Sequence, residues 1–371
     1  MKNKKWLRSV AFLLILAVSV LGVFQCYGLP RTYDTKNIAA FDAEEENLVD
    51  GLVLGTSVIA HAWQTPLAWQ NYGLSIYHLS TSVQPFGVIP EFLDYAAKSQ
   101  DIKYVIIDIH GLRNESVISG LRPAKFRAAY LNIPDLESRI NILKALFRYV
   151  SEVYDFYGKP EKTSNIVNLN DKSYIIPFLA FHSRWVDGLE KADFVTVKNE
   201  FMGGDDRATA FGITDCSKLI KNWDLREVKD IDEFQKNQLQ LVFDYAEENG
   251  LQLLFVNLPS FRPAEDQAEM RDLLEYCKSK GYHTIDFSTE EMAEEIDLDL
   301  SMDFVNDSHL NAFGGKKITN YICQYLIDNG FYSVDHRGEE AYAHWDETAE
   351  SYMEFYQKGL EKVEKAKKSK Q

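Results

Sequence analysis

The sequence from Gly51 to Ser57 reads GLVLGTS, a short apolar run that ends in two small residues and a serine. An uncharged run of this length, bounded by turn residues, is typical of a strand buried on both faces of a parallel sheet. Four further runs along the chain have the same character. The five predicted strands are residues 51–54, 75–79, 103–109, 251–258 and 283–287.

Helical patterns separate these strands. Residues 232–249, 264–280 and 312–329 place apolar side chains three or four positions apart, and each segment is followed by a glycine, as in helices that end in a left-handed cap. Alternating strands and helices predict an α/β fold with a parallel sheet and right-handed crossovers. We expect three flavodoxin-like layers, with ligands bound at the carboxyl ends of the strands.

The main domain is predicted to span residues 48–330. It includes one interval that is too long for a simple crossover, at about 112–229, which contains a helical pattern at 135–153. We interpret this interval as an insertion after the third strand that covers one edge of the site. The Glu- and Lys-rich segment 331–371 is expected to form an accessory C-terminal helix.

The first 30 residues indicate a signal anchor. Lys4, Lys5 and Arg8 precede an uncharged and almost wholly apolar stretch at 9–29, and a bilayer-spanning helix needs roughly 17 to 25 residues. Positive residues before the stretch place the body outside the cytoplasm. We expect a single-pass membrane protein with an extracytoplasmic body. The alternative is secretion after signal cleavage, although bulky residues occupy the expected cleavage region.

Charge and cysteine content exclude several classes of protein. The 40 basic and 56 acidic residues give a net charge of −16 at pH 7, which repels phosphate backbones, so we expect no nucleic-acid partner. The 4 cysteines are too few and too scattered for a disulfide framework. Because the chain has no CxxC or HExxH spacing, we expect neither a metal nor another cofactor.

Ser57 is the first candidate for chemistry. Gly55 and Thr56 precede it at the end of a predicted strand, where small residues let the backbone turn sharply and expose the hydroxyl group. The N–H of Ser57 itself would then point into the crevice. A nucleophile needs this arrangement, but an ordinary strand-to-helix turn with a serine or threonine cap has the same sequence.

A second candidate lies in residues 303–311, which read DFVNDSHLN and precede the last predicted helix. A histidine in this loop would lie at the same strand ends as Ser57. His309 can then take the serine proton with one ring nitrogen, while Asp307 holds the other. Asp303 is an alternative carboxylate if the loop folds back.

Taken in order, these features resemble the SGNH/GDSL hydrolase superfamily, and especially its exported, membrane-anchored branch related to polysaccharide O-acetyltransferases and the lipoteichoic-acid D-alanylation protein. The likeness covers about residues 52–326. Its motifs are GTS at 55–57, YHLSTSVQP at 77–85, FHSRW at 181–185 and DSHLN at 307–311. The resemblance implies a Ser57 nucleophile, a His309 general base and acid, an orienting Asp307 and an acyl-enzyme. It also implies a membrane O-acyltransferase partner that supplies the acyl group.

Some positions depart from the family pattern. Val58 stands where relatives often have histidine, and Asn306 stands where hydrolases usually place aspartate, three residues before the histidine. The spacing of Asp307 instead resembles the alginate-acetylation type. The oxyanion hole is also altered. Its candidate donors are the N–H groups of Ser57 and Ser80, with a further donor from Gln84, Gly111 or Asn114.

Three residues are candidate substrate ligands. Asp108 ends the third strand, and His182 and Arg184 lie within the insertion beside a tryptophan. An arginine with aromatic neighbours can hold an anionic or sugar group. Each prediction has a structural alternative, a loop cap for Asp108 and an ion pair with Asp187 or Glu190 for Arg184.

The sequence therefore predicts an extracytoplasmic serine esterase or O-acyltransferase. It would act on O-acyl groups, with O-acetyl preferred, of a cell-envelope polysaccharide through a Ser57 acyl-enzyme. The alternative is a catalytically silent protein that uses the same crevice to bind glycan or to dock on a membrane O-acyltransferase. The altered oxyanion positions motivate this alternative, whereas the presence of both Ser57 and His309 argues against it.

Overall fold

The computed structural model describes residues 2–27, 33–158, 166–181, 186, 188, 200–202, 211–219, 223 and 230–368. Its centre is a sheet of five parallel strands in the spatial order β2-β1-β3-β4-β5, the order of flavodoxin-like folds. The predicted α/β class and five-stranded parallel sheet are confirmed, and each strand lies within its predicted range. The strands are β1 (Gly51–Leu54), β2 (Ile76–His78), β3 (Tyr104–Asp108), β4 (Gln252–Asn257) and β5 (His283–Asp286).

Alternate side chains of the strands enter two separate hydrophobic cores. Leu52 and Leu54 of β1 belong to one core, and Val53 belongs to the other. In β3, Ile107 belongs to the first of these cores, and Ile106 belongs to the second. Because both faces of the sheet are covered, every residue of β1 and β3 is buried. This double burial explains why these strands are continuous apolar runs in the sequence.

Helices on the two faces of the sheet complete the three layers. The α-helices of the described residues are α1 (Lys2–Tyr27), α2 (Tyr33–Phe41), α3 (Ser57–Ala62), α4 (Thr65–Tyr72), α5 (Ile89–Ala96), α6 (Asn114–Gly120), α7 (Pro123–Leu131), α8 (Leu136–Tyr157), α9 (Phe178–Phe181), α10 (Glu233–Asn249), α11 (Ala264–Ser279), α12 (Glu290–Glu295), α13 (Ala312–Asp328) and α14 (Ala343–Lys368). Helices α5, α8, α10 and α11 contribute to the core on one face, and α3, α12 and α13 contribute to the core on the other. The predicted insertion at about 112–229 is only partly covered by the described residues.

A short hairpin lies between β5 and the last helix of the sheet domain. Strand β6 (Phe304–Asn306) pairs antiparallel with β7 (His309–Leu310), and Asn306 is the direct partner of His309. Residues 307 and 308 form the turn. The sequence predicted an irregular loop here, because strands of three and two residues are too short to show an alternating pattern.

The C-terminal helix α14 packs into the body. Trp345 and Tyr352 are fully buried, and the Tyr352 hydroxyl donates a hydrogen bond to Oε1 of Gln64 at 2.6 Å. The indole N–H of Trp69 in α4 donates to Asp346 at 2.8 Å. The segment expected to be accessory therefore shares the hydrophobic core of the sheet domain through α4.

The N-terminal helix α1 is long and apolar enough to cross a membrane. The candidate span is Lys5–Val23, with a mean hydropathy of 2.2, and none of it is buried against the described body. A signal sequence has the same length and composition, so both alternatives from the sequence stay open. Residues 28 and 29 of the predicted anchor lie outside the described residues.

Helix α2 connects this N-terminal segment to the carboxyl edge of the sheet. The amide of Asn37 donates to the carbonyl oxygen of His78, the last residue of β2, at 2.8 Å. The N–H of Ser82 donates to the carboxylate of Asp34 at 3.0 Å. Five residues, 28–32, separate α1 from α2, so the start of the body is fixed beside the strand ends where ligands bind in such folds.

Candidate functional site

The turn that presents Ser57 is fixed by Gly55 and Asp108. Gly55 has a φ of +145°, and a Cβ at this position would lie 2.5 Å from Cβ of Asp108, so only glycine fits. The hydroxyl of Thr56 donates to Oδ2 of Asp108 at 2.7 Å, and the N–H of Thr56 donates to the same oxygen at 3.2 Å. Thr56 also caps α3, so Ser57 becomes the first residue of that helix.

The structure brings Ser57 and His309 together from positions 252 residues apart in the chain. Oγ of Ser57 lies 2.9 Å from Nε2 of His309. Both residues are half-buried, so a substrate can reach the pair from solvent. This is the distance and the access that a nucleophile and its general base require.

Asn306 sets the tautomer of His309. Nδ1 of His309 lies 3.0 Å from Oδ1 of Asn306, and the backbone N–H of Ser308 donates to the same atom at 2.9 Å. Because a backbone N–H can only donate, the atom between them is the amide oxygen. Nδ1 therefore carries the proton, which leaves Nε2 as an acceptor for the hydroxyl proton of Ser57.

The residue that this geometry places at Nδ1 of His309 is Asn306, whereas the sequence predicted Asp307. Asn306 lies directly opposite His309 in the β6–β7 pair, and opposed residues project from the same face, whereas Asp307 lies in the turn. A carboxylate oxygen of Asp307 accepts a hydrogen bond from the Ser308 hydroxyl at 2.9 Å. Burial, and then the charge of Asp307, raise the pKa of the Cys216 thiol.

Asp303, the alternative carboxylate, has other partners. It is buried and accepts hydrogen bonds from the Asp299 N–H at 2.7 Å and the Lys317 ammonium at 2.8 Å. Desolvation is the largest influence on this carboxyl group and raises its pKa, although the bond from Lys317 opposes that shift. The Asp303 carboxylate therefore anchors the start of the hairpin through its bonds to Asp299 and Lys317.

Gln84 lies beside the Ser57 turn, and the oxygen of its side-chain amide accepts a hydrogen bond from that turn. Its Oε1 accepts the Gly55 N–H at 2.9 Å, and the residue is 1% exposed. Among the described residues, Nε2 of Gln84 has no hydrogen-bond partner. The preceding Val83 has a φ of 78°, a strained conformation for a β-branched residue that is found mainly at functional sites.

The other predicted oxyanion donors lie along the same strand ends. Ser80 is buried, and its hydroxyl contacts Nε2 of His78. Gly111 packs against the loop of Gln84, because a Cβ there would lie 3.1 Å from the Gln84 carbonyl oxygen. The N–H of Asn114 already donates to Glu269 at 3.2 Å. Among the predicted donors, Gln84 is therefore the side chain whose buried N–H donor, at Nε2, has no hydrogen-bond partner within the described residues.

The structure shows the loop cap that the sequence allowed as the alternative for Asp108. Asp108 is fully buried, and its two oxygens accept bonds from Thr56 and from both the N–H and the ring Nδ1 of His110, the last at 2.6 Å. Burial acts to raise its pKa, but His110 and the hydrogen bonds outweigh it, so the pKa is lowered. Asp108 is therefore an ionised structural group that supports the Ser57 turn.

Two predicted ligands, His182 and Arg184, lie outside the described residues. A residue that the sequence did not suggest is His61, which is 7% exposed and whose ring centroid lies 4.6 Å from that of His309. The four-residue spacing from Ser57 puts both side chains on one face of α3 and was the available signal. Within the described ranges, no group of three or more His, Cys, Asp or Glu side chains is placed to hold a metal ion.

No protein-family model matches the chain, and no curated protein matches it either.

Proposed function

We propose that the protein is a serine esterase or O-acyltransferase that works through an acyl-enzyme on Ser57. The observation that carries the proposal is the continuous hydrogen-bonded series Ser57–His309–Asn306, with distances of 2.9 and 3.0 Å. The series lies at the carboxyl edge of the sheet, where ligands bind in such folds. It supplies a nucleophile, a base in the right tautomer and a group that holds the base.

In the proposed first step, Oγ of Ser57 attacks the acyl carbonyl carbon while Nε2 of His309 takes the hydroxyl proton. The resulting oxyanion is stabilised by Nε2–H of Gln84 and by the N–H of Ser57. When the intermediate collapses, the bond to the leaving alkoxide breaks, and His309 returns the proton to that oxygen. An acyl ester on Ser57 remains.

In the proposed second step, His309 takes a proton from an incoming hydroxyl group, whose oxygen attacks the ester carbonyl. Collapse of the second intermediate breaks the bond to Oγ of Ser57, and His309 restores the Ser57 hydroxyl. Water as the acceptor gives hydrolysis, and a sugar hydroxyl gives transfer. The two outcomes differ only in which acceptor reaches the acyl group.

The substrate class follows from the N-terminal segment and the sequence resemblance. Helix α1 can act as an anchor, and the basic residues before its apolar span orient the body outward. We therefore propose an extracytoplasmic enzyme that acts on O-acyl groups, with O-acetyl preferred, of a cell-envelope polysaccharide. The proposed source of the acyl group is a membrane O-acyltransferase partner.

Intact-mass spectrometry of the full-length protein with p-nitrophenyl acetate tests the proposal. We expect a gain of one acetyl group that maps to the peptide containing Ser57 and then decays, because His309 activates both steps. Ser57→Ala should give no adduct. Adding oligosaccharides distinguishes the acceptors, since acetylated sugar indicates transfer and acetate alone indicates hydrolysis. A folded protein that never forms the adduct would contradict the proposal.

Asn306 favours a second candidate function. A neutral amide cannot balance the charge of an imidazolium as a carboxylate does, so the site can also be interpreted as a silent glycan-binding or docking crevice. That function predicts that Ser57→Ala leaves polymer acylation and glycan binding unchanged. Loss of acylation with intact glycan binding would exclude it.

Replacing Asn306 with aspartate should increase esterase activity. A hydrogen bond from an ionised group exceeds a neutral one by about 1 kcal/mol, but Asn306 is exposed and solvent screening reduces the gain. We expect kcat/KM for the ester to rise about two- to fivefold. The acid limb of the pH–rate profile should move to higher pH, because the carboxylate favours protonated His309.

The control for this prediction is Asn306→Ala, which removes the acceptor of Nδ1 and should lower kcat/KM by about fivefold, the value of one hydrogen bond of roughly 1 kcal/mol. Unchanged rates and pH profiles in both variants would show that Asn306 does not orient His309.

A further inference from the structure

An apolar segment within the region between β3 and β4 is exposed to solvent. Residues 175–181 read IIPFLAF and contain no charged or polar side chain. Ile175 is 72% exposed, Leu179 is 48% exposed and Ile176 is 39% exposed. We call these three residues the Ile175 patch. Single exposed apolar residues are ordinary, but adjacent ones mark a surface that binds a partner or a membrane.

Side chains of helix α7 hold this segment in place. Tyr174, immediately before the patch, is 1% exposed, and its carbonyl oxygen accepts the Tyr130 hydroxyl at 2.6 Å. The guanidinium of Arg127 lies 4.7 Å from the ring centre of Tyr174 and 5.9 Å from that of Phe181. Cation–π contacts thereby hold the residues on either side of the patch, and the exposed side chains of the patch lie on a supported surface.

The position of the patch indicates what covers it. Helix α9, which contains Leu179, contacts α1. Within the described part of the chain, α1 is the one helix long and apolar enough to cross a membrane. Lys172 is exposed three residues before the patch and is placed to contact lipid phosphates at its edge. An apolar surface that contacts a helix able to cross a membrane is placed to meet the lipid around that helix.

We propose that the Ile175 patch inserts into the lipid interface beside α1 and docks the body on the membrane. The inserted side chains would lie at the boundary between headgroups and acyl chains, as in interfacial segments of peripheral proteins. The inference rests on α1 crossing the membrane. It is independent of acyl chemistry at Ser57, so either proposal can fail without the other.

Fluorescence of the full-length protein in lipid nanodiscs tests the docking. The discs contain phosphatidylcholine and phosphatidylglycerol, and an environment-sensitive nitrobenzoxadiazole probe is attached to Ile175→Cys in a Cys26→Ser background. The remaining thiols, Cys216, Cys277 and Cys323, are buried. We expect blue-shifted emission and at least twofold quenching by lipids that carry a nitroxide near the headgroup.

The matched control is the same probe at Val334→Cys. Val334 is also apolar and is 40% exposed, but its segment lies at the amino edge of the sheet, where the N–H of Tyr332 donates to Gln252 at the start of β4. This probe should emit as in water and resist quenching. A second probe at Leu179→Cys should repeat the Ile175 result, which guards against local disruption by one label.

Two outcomes would overturn the proposal. Emission at Ile175 and Leu179 that matches the Val334 control would show that the patch faces water. Blue-shifted emission without quenching by the lipid nitroxides would show that protein, either another part of this chain or a second copy, covers the patch in place of lipid.

Discussion

Replacement of His309 with alanine is expected to lower kcat/KM for p-nitrophenyl acetate by about 10⁴- to 10⁶-fold, as in enzymes that lose one member of such a unit. Without Nε2 at 2.9 Å from Oγ of Ser57, nothing takes the hydroxyl proton during attack. The Ser57→Ala variant should lose activity to a similar extent. Because the two residues act in one step, the double variant should be no slower than either single variant.

Steady-state kinetics and thermal unfolding of the three variants provide the measurement. His283→Ala is the matched control, since this histidine lies at the start of β5 with Nδ1 3.1 Å from the Tyr325 hydroxyl, at the opposite edge of the sheet. It should keep full esterase activity. Losses that add in the double variant would show that Ser57 and His309 do not function as a pair.

Removal of the Gln84 amide is expected to lower kcat by about 10²- to 10³-fold with little change in KM, the usual cost of losing one oxyanion donor. Gln84→Glu is the sharpest variant, because the carboxylate still accepts the Gly55 N–H that Oε1 accepts at 2.9 Å. The fold of the turn should therefore persist. Once the buried carboxyl group is ionised, the donor is replaced by a negative charge that opposes the oxyanion, so kcat is measured across the alkaline pH range, where burial no longer keeps the group neutral.

Gln238→Glu provides the control for Gln84. It replaces another glutamine that is 1% exposed and whose amide contacts Glu152 at 2.8 Å, on helices away from Ser57. This variant should reduce stability more than kcat. A Gln84→Glu enzyme that retains the wild-type kcat would contradict the assignment and would direct attention to backbone donors such as the Ser80 N–H.

The positions of the strands could be predicted because burial on both faces requires a continuous run of apolar residues, which is visible in the sequence. Each residue of β1 and β3 is buried, so the apolar runs in the sequence coincide with the strands. The pairing of Ser57 with His309 was predicted for a related reason. Both residues follow strands of a parallel sheet, and the carboxyl ends of such strands share one edge.

The orienting residue could not be predicted, because it depends on the register of a very short hairpin. A shift of one residue moves a side chain to the opposite face of a strand, and the spacing alone allowed either Asn306 or Asp307 to face His309. The observed pairing of Asn306 with His309 decides between them. The loop-cap alternative for Asp108 was visible locally, because His110 lies two residues along the chain, whereas the bond from Thr56, 52 residues away, has no local sign in the sequence.

The short connection between α1 and α2 limits how far the body can travel from an anchored helix. Six residue steps from Tyr27 to Tyr33 span at most about 22 Å when fully extended. The Asp34–Ser82 bond then fixes that tether beside the strand ends that carry Ser57. Under the proposed function, an enzyme anchored by α1 would search a thin layer in two dimensions at a high local concentration of membrane-proximal chains. On that proposal, polymer close to the bilayer would be modified as it emerges, chains further out in the envelope would be beyond reach, and the modification would decline with distance from the membrane.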